Sequence, residues 1–216
     1  VGEIGSMSLA TLLALADSRL PIGGHVHSGG VEEAIASGLV RDVATVELYL
    51  RRRIGTSGLV AASLAAAVCA GALEPARAEA EADARTPSPA ARTASRAQGR
   101  GLLRLAKQLW PQEGWARVGA RPHLSTVFGM VGAACLVTPR EIAGVVVYTT
   151  LTGAATAAQR LLALDPAAIA ECTLRLADLC DRIAAEAADG LACLSDPLQD
   201  ALAERHLHRD MPLFAS

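Results

Sequence analysis

Aromatic residues are nearly missing from this chain: two Trp, two Tyr and two Phe make up 3% of 216 residues. That scarcity argues against a core built on ring packing and against the stacked aromatic platforms of single-strand nucleic-acid binders. Excess positive charge is missing too, with a formal net charge of −2 at pH 7. The one dense basic run, Arg51-Arg52-Arg53, closes a helical pattern, where it complements the helix dipole. Nucleic acid is therefore not an expected partner. There is no C-x-x-C pair. The five cysteines, Cys69, Cys135, Cys172, Cys180 and Cys193, read as small buried hydrophobes in a reducing compartment. Also absent are G-x-x-x-x-G-K-[ST], a strand leading into G-x-G-x-x-G, H-E-x-x-H and G-x-S-x-G. No catalytic constellation and no cofactor site are expected, and the chain reads as a non-enzyme. Its first residues lack the charged segment and apolar run of a signal peptide, so the expected location is the cytoplasm.

What is abundant is small and apolar. Hydrophobic residues reach 51% and mean hydropathy is +0.31, most of it Ala, Leu and Val. Small side chains let helices approach closely but bury little area each. The expectation is many helices, or an apolar face covered by a partner. Residues 54–73 run for twenty positions without a charge, superficially a membrane span. Gly55, Ser57, Gly58, Ser63 and Gly71, with Ala dominating the rest, mark it instead as a buried helix.

The punctuation is helical throughout. Ser8 can cap a helix carrying Leu9, Leu12, Leu13 and Ala16 that stops before Pro21. Ser28 or the next glycines open a short helix over 31–37, closed by Gly38. Asp42 caps a third, with Val43, Val46, Leu50 and Ile54 on one face, and Ser57 precedes a long small-residue helix to about Gly71. Residues 76–85 form a solvated helix, broken by Thr86-Pro87-Ser88-Pro89. Ser88 and Pro89 start a helix to Leu109, on which Arg92, Arg96, Arg100 and Arg104 make a basic ridge, a solvated face or a dock for an acidic partner. After a loop over 110–122, residues 123–137 are helical. Thr138-Pro139-Arg140-Glu141 opens a long helix to about Leu164. Residues 145–150 favour strand by propensity, but the cap and the length favour helix. Asp165-Pro166 and Asp196-Pro197 repeat the start signal for helices over 167–188 and toward His208. The reading is all-α: one compact domain over 1–216, with about eight to ten helices.

Residues 17–33, DSRLPIGGHVHSGGVEE, form the most informative loop. Pro21 stiffens it, and the pairs Gly23-Gly24 and Gly29-Gly30 fix backbone shape rather than filling a core. His25 and His27 could face one metal ion, with His123, His206, His208 or an acid completing the set. Two histidines among glycines serve packing more often, and no metal site is expected. Ser28 beside His27 does not align for proton transfer. Cys172 and Cys180, about 12 Å apart by helical rise, are too distant for one ion. Asp17, Glu32 and Glu33 read as helix-end or surface charges. From the residues alone, a helical interaction protein is favoured over an enzyme or a small-molecule regulator.

Residues 12–40 resemble the N-terminal signature of the urease accessory protein F family, on Asp17, Ser18, Leu20, Pro21, Gly23, Gly24, Ser28, Gly30, Val31 and Glu32. Further likeness lies in Gly101-Leu102-Leu103-Leu105, residues 123–129 and the helix around Tyr148. At the C-terminus it falls on Asp200, His206, Leu213, Phe214 and Ser216. The chain departs from the family pattern at His25, His27, Pro212 and Leu164-Asp165-Pro166. The resemblance implies an all-α, homodimeric chaperone that binds a second accessory protein, H or D. Together they would recruit the accessory GTPase G and deliver nickel to apo-urease. The partner-binding residues it implies are Pro21, Gly23, Gly24, His25, His27, Glu32, His206, Arg209, Leu213 and Phe214. The alternative is a helical small-molecule-binding regulator or metal-binding protein unrelated to urease. Residues 57–71 and 123–137 are the expected dimer helices. The tail over 209–216 is expected to be flexible until the partner takes Leu213 and Phe214 as anchors, with His206 and Arg209 as polar rim. The opposite arrangement has Phe214 folded back on this chain's own core.

Overall fold

The computed structural model describes residues 9–22, 27–194, 196–209 and 213–214. Ser8, Gly23, Gly24 and His25, singled out by the sequence, lie outside the described residues. Among the described residues there are eleven α-helical segments and no strand. They are α1 (Leu9–Leu15), α2 (Val31–Ala36), α3 (Val43–Arg53), α4 (Leu59–Cys69), α5 (Pro75–Arg85) and α6 (Pro89–Leu109), followed by α7 (Leu124–Ala134), α8 (Pro139–Leu161), α9 (Pro166–Arg175), α10 (Ala177–Asp189) and α11 (Pro197–His206). The start signals act as read. Asp42 and Thr138 form capping boxes with Thr45 and Glu141. Ser88, Asp165 and Asp196 each accept a backbone N–H at a Pro-led first turn. Residues 145–150 are helical within α8, where the Thr149 and Thr150 hydroxyls donate to the carbonyls of Val145 and Val146 at 2.8 and 2.7 Å.

Two boundaries differ from the expectation. Ser57 does not cap a helix, because α3 runs into α4 through a π-helical turn, Ile54–Gly58. Gly58 makes room for it: a Cβ there would stand 3.2 Å from the Arg53 carbonyl. Cys172 and Cys180 do not share one helix either, since fully buried Leu176 separates α9 from α10.

Helix α4 is the axis of the molecule, packed on α7, α8 and α10. Its Leu59, Ala62, Ala65, Ala66 and Val68 are buried, and Gly129 of α7 lets the two backbones meet. A Cβ at Gly129 would lie 2.6 Å from both the Ala65 carbonyl oxygen and the Val68 Cβ. In residues 57–71 and 123–137, the expected dimer helices, most small side chains pack α4 and α7 on each other inside the core, while Ala70, Gly71, Ala133 and Leu136 stay exposed. Residues 54–73, read as a false span, are largely enclosed by this packing. Among the described residues, no helix is long and apolar enough to cross a membrane.

The basic ridge of α6 is half used within the chain. Arg96 donates to Glu79 and Asp83 of α5 at 2.8 and 2.9 Å, and Arg92 to the carbonyls of Thr86 and Pro87. Buried His123 completes that junction. Its Nε2 lies 2.9 Å from Asp83, which can only accept when ionised, so Nε2 carries the proton. Nδ1 lies 3.0 Å from the Ser95 hydroxyl, which itself accepts the Leu124 N–H at 3.2 Å. The arrangement locks α5, α6 and α7 together. Burial pushes the thiols of Cys69 and Cys180 up to about 11 and raises those of Cys135 and Cys172; Cys135, Cys172 and Cys180 are buried as read, and Cys69 is half-buried. Cys193 is exposed and departs from that reading.

Candidate functional site

The site grows from the π turn. Arg52 and Arg53 end α3 just before this turn, Arg52 exposed and Arg53 partly buried, and each reaches residues distant in the chain. Arg52 Nη2 donates to Asp196 at 2.6 Å, and the Thr56 hydroxyl donates to the same carboxylate at 2.9 Å. Asp196 also caps α11 by accepting from the Gln199 N–H at 3.3 Å, so one carboxylate staples α11 to the π turn. At the other side of α11, Glu204 accepts from the Ser88 hydroxyl at 2.5 Å and the Ala90 N–H at 2.9 Å. An acid at the start of α6 suits the helix dipole. Helix α11 is thereby fixed between α3 and α6.

Burial by itself would raise the Asp196 carboxyl, but hydrogen bonds from Arg52 and Thr56 outweigh it and hold the group below its ordinary value of 3.8. A carboxyl depressed on folding stabilises the fold fully above the ordinary value, and the contribution is lost as pH falls through the folded value. Asp196→Asn is expected to lower the urea midpoint at pH 7, with the difference from the parent chain shrinking below pH 3.8. Urea titrations across that range check it.

Helix α11 delivers His206 and Arg209 to α2, where Glu32 and Glu33 are only 3% and 5% exposed. The sequence reading of these acids as surface charges is corrected here: both are buried clamp residues. Glu32 accepts the backbone N–H of Leu213 at 2.9 Å and of Phe214 at 3.1 Å. Arg209 Nε stands 3.6 Å from Glu32, and Arg209 Nη1 stands 3.4 Å from Glu33. Arg205 Nε reaches Glu33 at 3.1 Å. His206, 3% exposed and so no rim residue, donates from Nε2 to the Phe214 carbonyl at 3.0 Å. Two carboxylates on one turn of α2 thus hold α11 and the tail together. Phe214 is half-buried against the chain's own core, the fold-back arrangement, whereas Leu213 remains 78% exposed.

Of the residues singled out, the structure brings together Glu32, His206, Arg209, Leu213 and Phe214. Pro21 is exposed and passes over α6, where a Cβ at Gly101 would meet its carbonyl at 3.1 Å. His27 lines a cavity of about 350 Å³ together with Ser57, Ser95, His123, Thr149 and Phe214. Ser28 is fully buried. Among the described residues, no group of three or more His, Cys, Asp or Glu is placed to hold a metal ion.

Among the participants the sequence reading did not place in the site are Arg52, Tyr49, Arg53 and Gln199. The signal that could have found Tyr49 and Arg53 is the pair Gly29-Gly30. Both glycines have positive φ, +61° and +84°. A Cβ at Gly29 would stand 2.5 Å from Arg53 Nη2, and one at Gly30 would stand 2.9 Å from the Tyr49 hydroxyl oxygen. The glycines exist to admit those two side chains.

The described residues form an all-α protein whose carboxylate clamp joins α2, α11 and the tail. The family model UreF matches residues 40–177. Curated relatives called urease accessory protein UreF include one from Mycolicibacterium vanbaalenii, 65% identical over 97% of this chain and 99% of its own length. Others come from Mycobacterium sp. (strain JLS), at 64%, and Mycobacterium bovis, at 60%, with the same coverage of each chain. The chain belongs to the UreF family.

Proposed function

We propose that this chain is a non-catalytic accessory protein of urease maturation. In this reading it binds accessory protein H or D, recruits the accessory GTPase G, and serves nickel delivery to apo-urease. It acts in the cytoplasm as a homodimer. The relatives' shared name supports the urease role. The observation that carries the partner site is the tail clamp: Glu32 fixes the Leu213 backbone while its side chain stands 78% exposed. A leucine held rigidly in water has already lost much of its ordering entropy, so a partner that covers it gains apolar burial at little further cost. Pro21, Gly23, Gly24, His25 and His27 form the second part of the contact surface.

The test is co-purification of the full chain with accessory protein H or D and with GTPase G, with masses from light scattering. The chain alone is expected to hydrolyse neither GTP nor urea, and to enter a complex with both proteins. Deleting residues 211–216 is expected to weaken partner binding about tenfold or more, the loss of one buried apolar anchor. Failure to bind either protein would overturn the reading, and a deletion that leaves binding unchanged would remove the tail from it.

A further inference from the structure

Arg53 is a cation without a counter-charge. Its neighbour Arg52 pairs with Asp196, but among the described residues no carboxylate lies within salt-bridge distance of Arg53. Its Nη1 donates to the Gly29 carbonyl at 2.7 Å and to Gln199 Oε1 at 3.0 Å. Those bonds leave the other edge of the guanidinium, Nε and Nη2, without an acceptor; Nε is buried in that state. This is the edge that grips a carboxylate or phosphate with two parallel hydrogen bonds. Gln199 adds to the imbalance. Its Oε1 faces both Arg53 and the Tyr49 hydroxyl, which fixes the amide orientation, because a flip would set donors against donors. Its Nε2 then has no acceptor, on a side chain 8% exposed. Buried donors lacking partners are costly and uncommon in folded chains.

Both residues line the cavity of about 350 Å³. Gly29 lets the guanidinium lie close against the loop backbone, since a Cβ at that position would lie 2.6 Å from Arg53 Cζ and 3.0 Å from Nε. The cavity wall, which also carries Asp17, Asp196 and Asp200, has a cationic corner with no ion-pair partner of its own and with spare N–H donors from two side chains. We propose that the Arg53–Gln199 corner is a subsite for a small oxyanion of the carboxylate or phosphate class. The anion completes the hydrogen bonding of Arg53 and Gln199 and neutralises the guanidinium. This assignment does not depend on the urease reading.

The experiment follows thermal unfolding of the full chain at fixed pH and ionic strength, with chloride replaced in turn by phosphate, bicarbonate or acetate. Arginine Nε–H spectra are recorded alongside. At least one oxyanion is expected to raise the melting temperature and to shift the Arg53 Nε–H resonance, and the three arms tell phosphate from carboxylate chemistry. Arg53→Lys keeps the charge but loses the fork, and is expected to weaken binding about tenfold, the loss of one charge-assisted hydrogen bond. Gln199→Glu places a carboxylate beside Arg53. It should melt higher than the parent chain in chloride and respond no further to oxyanions. Equal responses in the parent chain and both variants would overturn the assignment, as would no response to any oxyanion. If Gln199→Glu fails to fold, the Arg53→Lys comparison decides by itself.

Discussion

Gly99→Ala is expected to be the most damaging small substitution in this protein, although helix propensity predicts the reverse. Replacing a glycine inside a helix with alanine ordinarily stabilises by up to ~1 kcal/mol. At Gly99 on α6, however, the new Cβ would lie 2.1 Å from the Pro122 carbonyl oxygen and 2.9 Å from both His123 C and Leu124 N. All three are backbone atoms at the entry to α7, so no side chain can swing aside. The helices must separate, which breaks the packing of α6 on α7 and strains the His123 junction. A cost of about 3 kcal/mol or more follows. Gly153 on α8 is the control, since a Cβ there meets nothing within 4 Å. Gly153→Ala should be neutral or stabilising by up to ~1 kcal/mol. Urea denaturation of the two variants beside the parent chain separates contact from propensity. A Gly99→Ala midpoint within error of the parent would show that α6 and α7 do not approach as described.

Removing Glu32 is expected to have the largest effect on function. Its carboxylate accepts two tail N–H groups and faces Arg209 and His206. Glu32→Ala leaves the two tail amides without their acceptor and takes a carboxylate from Arg209, a change that costs about 3 kcal/mol when a buried ionic partner is deleted. Glu32→Gln retains one acceptor oxygen but turns an NH2 group toward a tail donor, for an intermediate loss of ~1–2 kcal/mol. The proposed partner site sharpens the expectation. Freed from its clamp, Leu213 must be ordered at the moment of binding, so affinity for accessory protein H or D should fall about tenfold or more in Glu32→Ala. Calorimetric unfolding gives the first quantity and partner titration the second. If the variant loses stability but binds its partner as the parent does, the clamp is structural only.

The helices were readable because their signals are local. A cap residue, a proline at the first helical position and apolar spacing of three to four all act within one or two turns, and α6 follows its sequence bounds from Pro89 to Leu109. Family membership was readable for a related reason: residues 17–33 carry an unusual pattern whose glycines cannot be exchanged freely. The tail motif was readable as residues but not as geometry. Glu32 looked like a first-turn acid, and only the return of the chain after α11 turned it into a buried acceptor.

By itself, then, the sequence determined the helical class, the places where helices begin, and the absence of any nucleotide or catalytic motif. Each of these depends on residues close together in the chain. Tertiary structure alone decided which small residues face neighbours and which face solvent. It put the alanines of α4 and Gly129 inside the core, a placement that composition does not distinguish from a dimer surface. It also decided the partners of each charge. Asp196 meets Arg52 across 144 positions and Glu32 meets Leu213 across 181, separations over which no local rule operates. The same holds for Arg53. In the sequence it closes a basic run. In the fold it lies just before a π turn and against Gly29 and Gln199, a cation on a cavity wall with two edges of donors and only one of them bonded.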